Sequence, residues 1–206
     1  MEELNSRIAF LAQSNTSHFN LASLAMPSGQ VTSLGMYAWV ALKRSISLVQ
    51  GFVVLMEKNN VSCAASLIRL QIDNLLRFRA LSLVSDIDQF VLEIFSGEET
   101  RNILDRSGKK MRDVYLQEVF SSEYPWLKDY YKIGSGFVHL SNKHFHSTIS
   151  AKGKEGQIQM YVGPDDPLAT SEGCLEIVEA MIMVTHSLLC AVQNTVTSNF
   201  PPEETN

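Results

Sequence analysis

Proline and glycine are scarce, at six and eleven of 206 residues. Average chains carry ~5% and ~7%, so collagen-like, proline-rich and many-turned all-β folds lose ground to helix. Cysteine is scarcer still. Cys63, Cys174 and Cys190 form an odd, scattered set without Cys-x-x-Cys spacing, which gives no basis for a disulfide framework or a cysteine metal motif and points to a reducing compartment. The start, Met1 to Asn5, is acidic and no apolar run follows it, so a signal peptide is not expected and the location expected is cytoplasmic. The longest apolar runs, 45–56 and 180–192, fall short of the ~20 residues of a membrane span, and no membrane partner is expected. Gly-x-Ser-x-Gly, a glycine-rich phosphate loop and a Glu-x-x-His pair are also missing. The common hydrolase, nucleoside-triphosphatase and di-iron readings therefore lack their residues.

What is present is enough apolar side chain to build a core. At 45% hydrophobic and 19% charged, the chain lies far from the disordered corner of composition. Its length suits one domain over residues 1–200, with 201–206 as a disordered tail. Charge is divided along the chain: residues 1–154 hold all 17 Lys and Arg against 14 of the 22 acids, while residues 155–206 hold eight acids and no base. Within the first part, Arg101, Arg106, Lys109, Lys110 and Arg112 face only Asp105. This reads first as a solvated loop or helix start, with a short RNA contact left open.

Helical periodicity dominates. It predicts helices over 3–14, 31–58, 61–84, 111–120, 125–140 and 171–197, and one from the Asp86 cap to Phe95, with 21–30 as a connection. Around 147–162 the period shortens to two about a Gly-containing loop at 152–156, which predicts one small β-hairpin. The fold class expected is all-α, an antiparallel up-and-down helical bundle with that hairpin at one end.

Polar residues at helical spacing mark candidate sites. Ser62, Ser66, Arg69, Asp73 and Arg77 share one face of the central helix, where Asp73 is placed to bridge both arginines. The bland reading is an ion-pair ladder; the functional one is a cleft whose Arg forks bind phosphate or carboxylate. Tyr131, Ser135, His139 and Asn142 form a second stripe, beside Gly134 and Gly136, which permit close approach. His139 is its titratable member. If the segment is extended, His144 and His146 share a face and with His139 offer a metal three nitrogens, but no Cys, Asp or Glu supports them at motif spacing, so no metal or other cofactor is expected.

The segments Leu67-Ile68-Arg69-Leu70-Gln71-Ile72-Asp73-Asn74-Leu75-Leu76 and Tyr131-Lys132-Ile133-Gly134-Ser135-Gly136-Phe137-Val138-His139-Leu140-Ser141 together resemble bacterial HEPN-like helical domains. The resemblance covers residues 31–146. It implies an antiparallel bundle, often a homodimer, with a polar cleft near the His and, in many members, a ribonuclease role in defence or toxin–antitoxin systems. The ribonuclease members carry an Arg followed after four to six residues by His, and no Arg stands at that spacing before His139, His144 or His146. The expected function is therefore a non-catalytic binding or assembly module, holding a small anionic ligand, short RNA or partner segment with Arg69, Asp73, Tyr131, Ser135, His139 and Asn142. The alternative is a metal-independent ribonuclease or other phosphoryl-transfer enzyme with His139 as acid/base and Arg69 stabilising charge.

Overall fold

The computed structural model describes residues 2–150 and 158–200. It is mainly helical, with the helices packed together and one small antiparallel two-stranded hairpin. Helix α1 (Glu2–Ala12) and α2 (Asn15–Leu24) lead into α3 (Ser33–Glu57) and α4 (Val61–Arg79), followed by α5 (Ile87–Phe95), α6 (Asp113–Phe120), α7 (Leu127–Val138), α8 (Asn142–Thr148) and α9 (Ser171–Asn199). Strand β1 (Ile149–Ser150) pairs with β2 (Gln159–Met160), Ile149 opposite Met160.

Local chemistry sets these boundaries. The Thr32 hydroxyl accepts from Gly35 N–H, Asn60 from Cys63, Asp86 from Gln89 and Thr170 from Gly173, so α3, α4, α5 and α9 each start at a side-chain cap. Two residues past the end of α3, Asn59 takes the left-handed conformation at φ 53° and turns the chain back into α4.

Helix α4 is central, packing against α3, α7, α9 and α6. Its pairing with α3 is antiparallel: Tyr37 bonds Arg77, Asn74 bonds Ala41 and Gln71 bonds Ser45. Helix α9 runs in the same sense as α4, since Ser62 meets Asp166 just ahead of α9 and Gln71 meets Thr185 within it. By length and hydropathy alone, α3 and α9 are sufficient to cross a membrane. In this fold each turns an apolar face into one continuous core, where Phe52, Leu75, Val184 and Leu188 are fully buried.

Three expectations change. Residues 21–24, read as connection, belong to α2, a helix that folds because His18 and Leu21 are buried beneath it. Residues 147 and 148, read as the start of the first hairpin strand, belong to α8 together with His144 and His146, and the first strand is described only at Ile149–Ser150. The helix expected to reach residue 140 ends at Val138, because Ser141 donates to the Gly136 carbonyl at 2.6 Å while its oxygen caps α8. One hydroxyl thereby closes one helix and opens the next. The expected hairpin loop at 152–156 and tail at 201–206 lie outside the described residues.

Candidate functional site

The first stripe arrives as spaced, but not as a ladder internal to α4. Asp73 pairs with Arg69 one turn away, whereas Arg77 pairs with Asp113 at the start of α6. The same carboxylate accepts from Arg69 at 3.1 Å and from the Tyr131 hydroxyl of α7 at 3.0 Å. Arg69 also donates to that hydroxyl and lies 3.7 Å above the Tyr131 ring centroid. Two arginines, two aspartates and a tyrosine thus clasp α4, α6 and α7 together.

Gly134 makes the approach of α7 possible. A Cβ there would lie 3.0 Å from the Arg69 Cβ and 3.1 Å from its backbone nitrogen, so any larger residue would push the two helices apart.

The electrostatics match the geometry. Burial favours a neutral Asp113, but the hydrogen bonds and charge of Arg77, with Tyr131 and Arg69, outweigh it and hold the carboxyl below its ordinary 3.8. Burial likewise opposes charge on Arg69, and its bond to Asp73 overcomes this and raises it above its ordinary value. Burial raises the Tyr131 phenol, with Asp113 adding to the effect against the opposing Arg69 charge. The clasp is thus three ion pairs, Arg69–Asp73, Arg69–Asp113 and Arg77–Asp113, around a phenol that stays neutral at neutral pH.

Of the expected site residues, Arg69, Asp73 and Tyr131 meet. Among the described residues no hydrogen bond or ion pair ties Ser135, His139 or Asn142 to them. Because α7 stops at Val138, His139 sits in extended conformation at its C-cap, exposed and making no side-chain hydrogen bond among the described residues. Asn142 opens a separate helix and is exposed, and Ser135 makes no side-chain hydrogen bond among the described residues. His144 and His146 ride on α8, where residues two apart point to different sides rather than to one face. His144 Nδ1 is already occupied by the Ser141 N–H. Among the described residues no three His, Cys, Asp or Glu side chains gather as a metal site requires. Ser62 is also spoken for, with its N–H and hydroxyl both donating to Asp166 at 2.7 and 2.8 Å.

Beside the clasp opens a cleft of about 420 Å³ between α3, α4, α5 and the 3₁₀ turn Thr100–Asn102. Asp73 and Arg77 form the wall common to clasp and cleft, Phe78 and Val40 supply apolar surface, and Arg44, Arg101 and Glu98 complete the lining. Arg101 pairs with Glu99, whereas Arg44 is exposed with no ion pair or hydrogen bond among the described residues. Tyr37 lies within the cleft, its phenol pushed up to about 12 by burial against the opposing charge of Arg77.

Asp113, Tyr37 and Arg44 escaped the sequence reading. The available signal for Asp113 was weak: an acid in the first turn of a short helix directly after Arg112. Within the basic stretch one side chain braces the fold. Arg106 donates to the carbonyls of Ser82 and Leu83 at the end of a 3₁₀ turn, while Asp105 gathers Ser107, Lys109 and Tyr115.

No protein-family model, curated protein or solved structure matches this chain.

Proposed function

We propose that this chain is a non-catalytic, HEPN-like helical binding module that takes a small anionic ligand in the cleft between α3, α4 and α5. The observation that carries this reading is Arg44, a guanidinium free of partners among the described residues at the mouth of a cleft also lined by Arg77 and Arg101. A planar fork of this kind binds a phosphate or carboxylate through paired hydrogen bonds. Val40, exposed, and Ile94, half-buried, give the apolar body of such a ligand a surface to lie on. Binding is favoured over cleavage because no histidine or cysteine lines the cleft and Arg69 is consumed by Asp73, Asp113 and Tyr131. The resemblance to HEPN-like domains supports a place in a defence or toxin–antitoxin system.

The test is thermal melting with inorganic phosphate, mononucleotides and dicarboxylates, for the parent and for Arg44→Ala. A ligand at a hundred times its Kd adds about 2.7 kcal/mol, or roughly 5–10 °C for a domain of this size. Arg44→Ala should abolish the shift while leaving the unliganded melting temperature unchanged. In parallel, mixed RNA is incubated with the protein with and without chelator. Cleavage that His139→Ala removes would replace the binding reading with the ribonuclease one.

A further inference from the structure

The geometry points to a binding site for an amphiphilic monocation, an alkylamine or alkylammonium, in a cavity of about 500 Å³ between α4, α7 and α9. This cavity shares no lining residue with the cleft between α3, α4 and α5. It is a second site, independent of the anion proposed there.

The packing of three helices leaves the space. Helices α7 and α9 both pack on α4 but not closely on each other. Gly134 lets α7 settle onto Arg69, while Ser62 and Gln71 of α4 bond to Asp166 and Thr185 and hold α9 along the same helix. A slot remains between the two flanking helices. Its floor is buried and apolar, with Ile68 1% exposed and Ala180, which has only a methyl group to offer the space, 5% exposed. Ile133, 39% exposed, faces Leu175 and Ile177 across it. Apolar surface of this kind gains by losing water, and the volume is that of a small-molecule pocket.

The polar groups of the lining select the charge. Glu176 and Glu179 are its only ionisable side chains apart from Tyr130. Helix α9 supplies three acids and no Lys or Arg, and Lys128 and Lys132 of α7 are exposed outside the lining. Arg7 of α1 pairs with Glu179 at 2.7 Å. Glu176 makes no ion pair or hydrogen bond among the described residues. One carboxylate is therefore left for one positive charge. The Tyr130 ring, half-buried and stacked at 5.4 Å on Trp126, adds an aromatic wall. Carboxylate and aromatic face together are the chemistry that recognises an ammonium group, while the slot takes its alkyl chain.

Other occupants fit less well. An anionic amphiphile would meet two carboxylates in a lining without a cation. A neutral one would fill the slot and leave Glu176 unused. A dication would bring a second charge to a site where Arg7 already holds the second carboxylate.

Calorimetric titration of the full chain with octyltrimethylammonium, hexyltrimethylammonium, octanol and octyl sulfate, each below its micelle concentration, tests this. One molecule of octyltrimethylammonium should bind per chain. The hexyl compound should bind roughly fifteenfold more weakly, at ~4-fold per buried methylene. Octanol should be weaker than the octyl cation by about tenfold, and octyl sulfate weaker still. Glu176→Gln should narrow the preference for the cation over octanol by about fivefold, the upper end for one partly solvated ion pair, and leave octanol binding as it was. Ile133→Trp and Leu175→Trp fill the slot from opposite walls, and each should abolish binding while the helical circular dichroism is kept. Absence of saturable binding of octyltrimethylammonium would overturn the inference. So would octanol or octyl sulfate binding as tightly, a cation preference that survives Glu176→Gln unchanged, or a folded filling variant that binds as the parent does.

Discussion

Gln71 and Asp73 stand two residues apart on α4, and helical geometry sends them to different sides of it. On the Gln71 side the polar groups are neutral and buried. His18 Nδ1 donates to the Ser14 carbonyl at 2.8 Å, and its Nε2 accepts from Ser45, which accepts in turn from Gln71 at 2.6 Å. Gln71 also donates to Thr185, so one chain of hydrogen bonds links α2, α3, α4 and α9. His18, Ser45 and Gln71 are all 0% exposed. On the Asp73 side the groups are charged and water reaches them: the Asp73, Arg77 and Asp113 side chains keep 23–29% of their surface. The difference follows from solvation. A neutral donor and acceptor that bond each other lose little on burial, whereas an ion pair taken wholly out of water must recover several kcal/mol per charge. The neutral network therefore sits mid-core and the charged clasp at its margin.

The largest break in this comparison is His18→Ala. It removes a fully buried ring, takes one of two hydrogen bonds from the Ser14 carbonyl and leaves the Ser45 hydroxyl without the ring nitrogen it donates to, for a cost of about 3 kcal/mol. Thermal melting should show a drop on the order of 10 °C. Asp113→Ala leaves Arg77 without its ion pair and Arg69 with Asp73 alone. Partial exposure softens the penalty to about 2 kcal/mol, read from the denaturant midpoint, and hydrogen exchange should quicken in α6 and α7 rather than in α2.

The two clusters also separate in pH. Burial lowers His18 below 6.5, against the smaller opposing effect of its bond to Ser14. As pH falls below 6.5 the unfolded chain takes up a proton that the folded one refuses, so stability is lost in that direction, at no more than about 1.4 kcal/mol per pH unit. Asp113, held below 3.8, keeps its contribution through this whole window and surrenders it only as pH falls from 3.8 through the lowered value. Midpoints measured between pH 7 and 5 should thus slope for the parent and flatten for His18→Gln, with Asp113→Asn leaving the slope untouched. A slope that survives His18→Gln would assign it elsewhere. The smallest expected change is Tyr131→Phe. The ring stays over Arg69 while one hydroxyl bridging Arg69 and Asp113 is lost, for about 1 kcal/mol in the same measurement.

The charged cluster was half legible in advance and the neutral one not at all. Arg69, Asp73 and Arg77 at helical spacing on an otherwise apolar helix announce a paired polar face, since charges there must find partners. Gly134 signals a close approach for an equally local reason. Their outside partner was hidden because Asp113 lies 44 residues from Arg69, and nothing in periodicity says which helix start will arrive beside which stripe. His18 was passed over because a polar run of Asn, Thr, Ser and His resembles a loop until its burial is known. His139 was placed with Arg69 by extending one stripe through residue 142, and the stripe breaks at Ser141, whose side chain ends the helix that would have carried it.

The sequence by itself determined the long helices, the Asp86 cap and the hairpin's position, because periodicity and side-chain capping act over a few residues and carry their own energetic signature. Only the tertiary structure decided that Asp113 rather than Asp73 takes Arg77, and that among the described residues His139 makes no side-chain hydrogen bond and Arg44 no ion pair beside the cleft. Each is a matter of which distant segments meet, which is fixed by how the helices pack around α4 as a whole rather than by any stretch of chain alone.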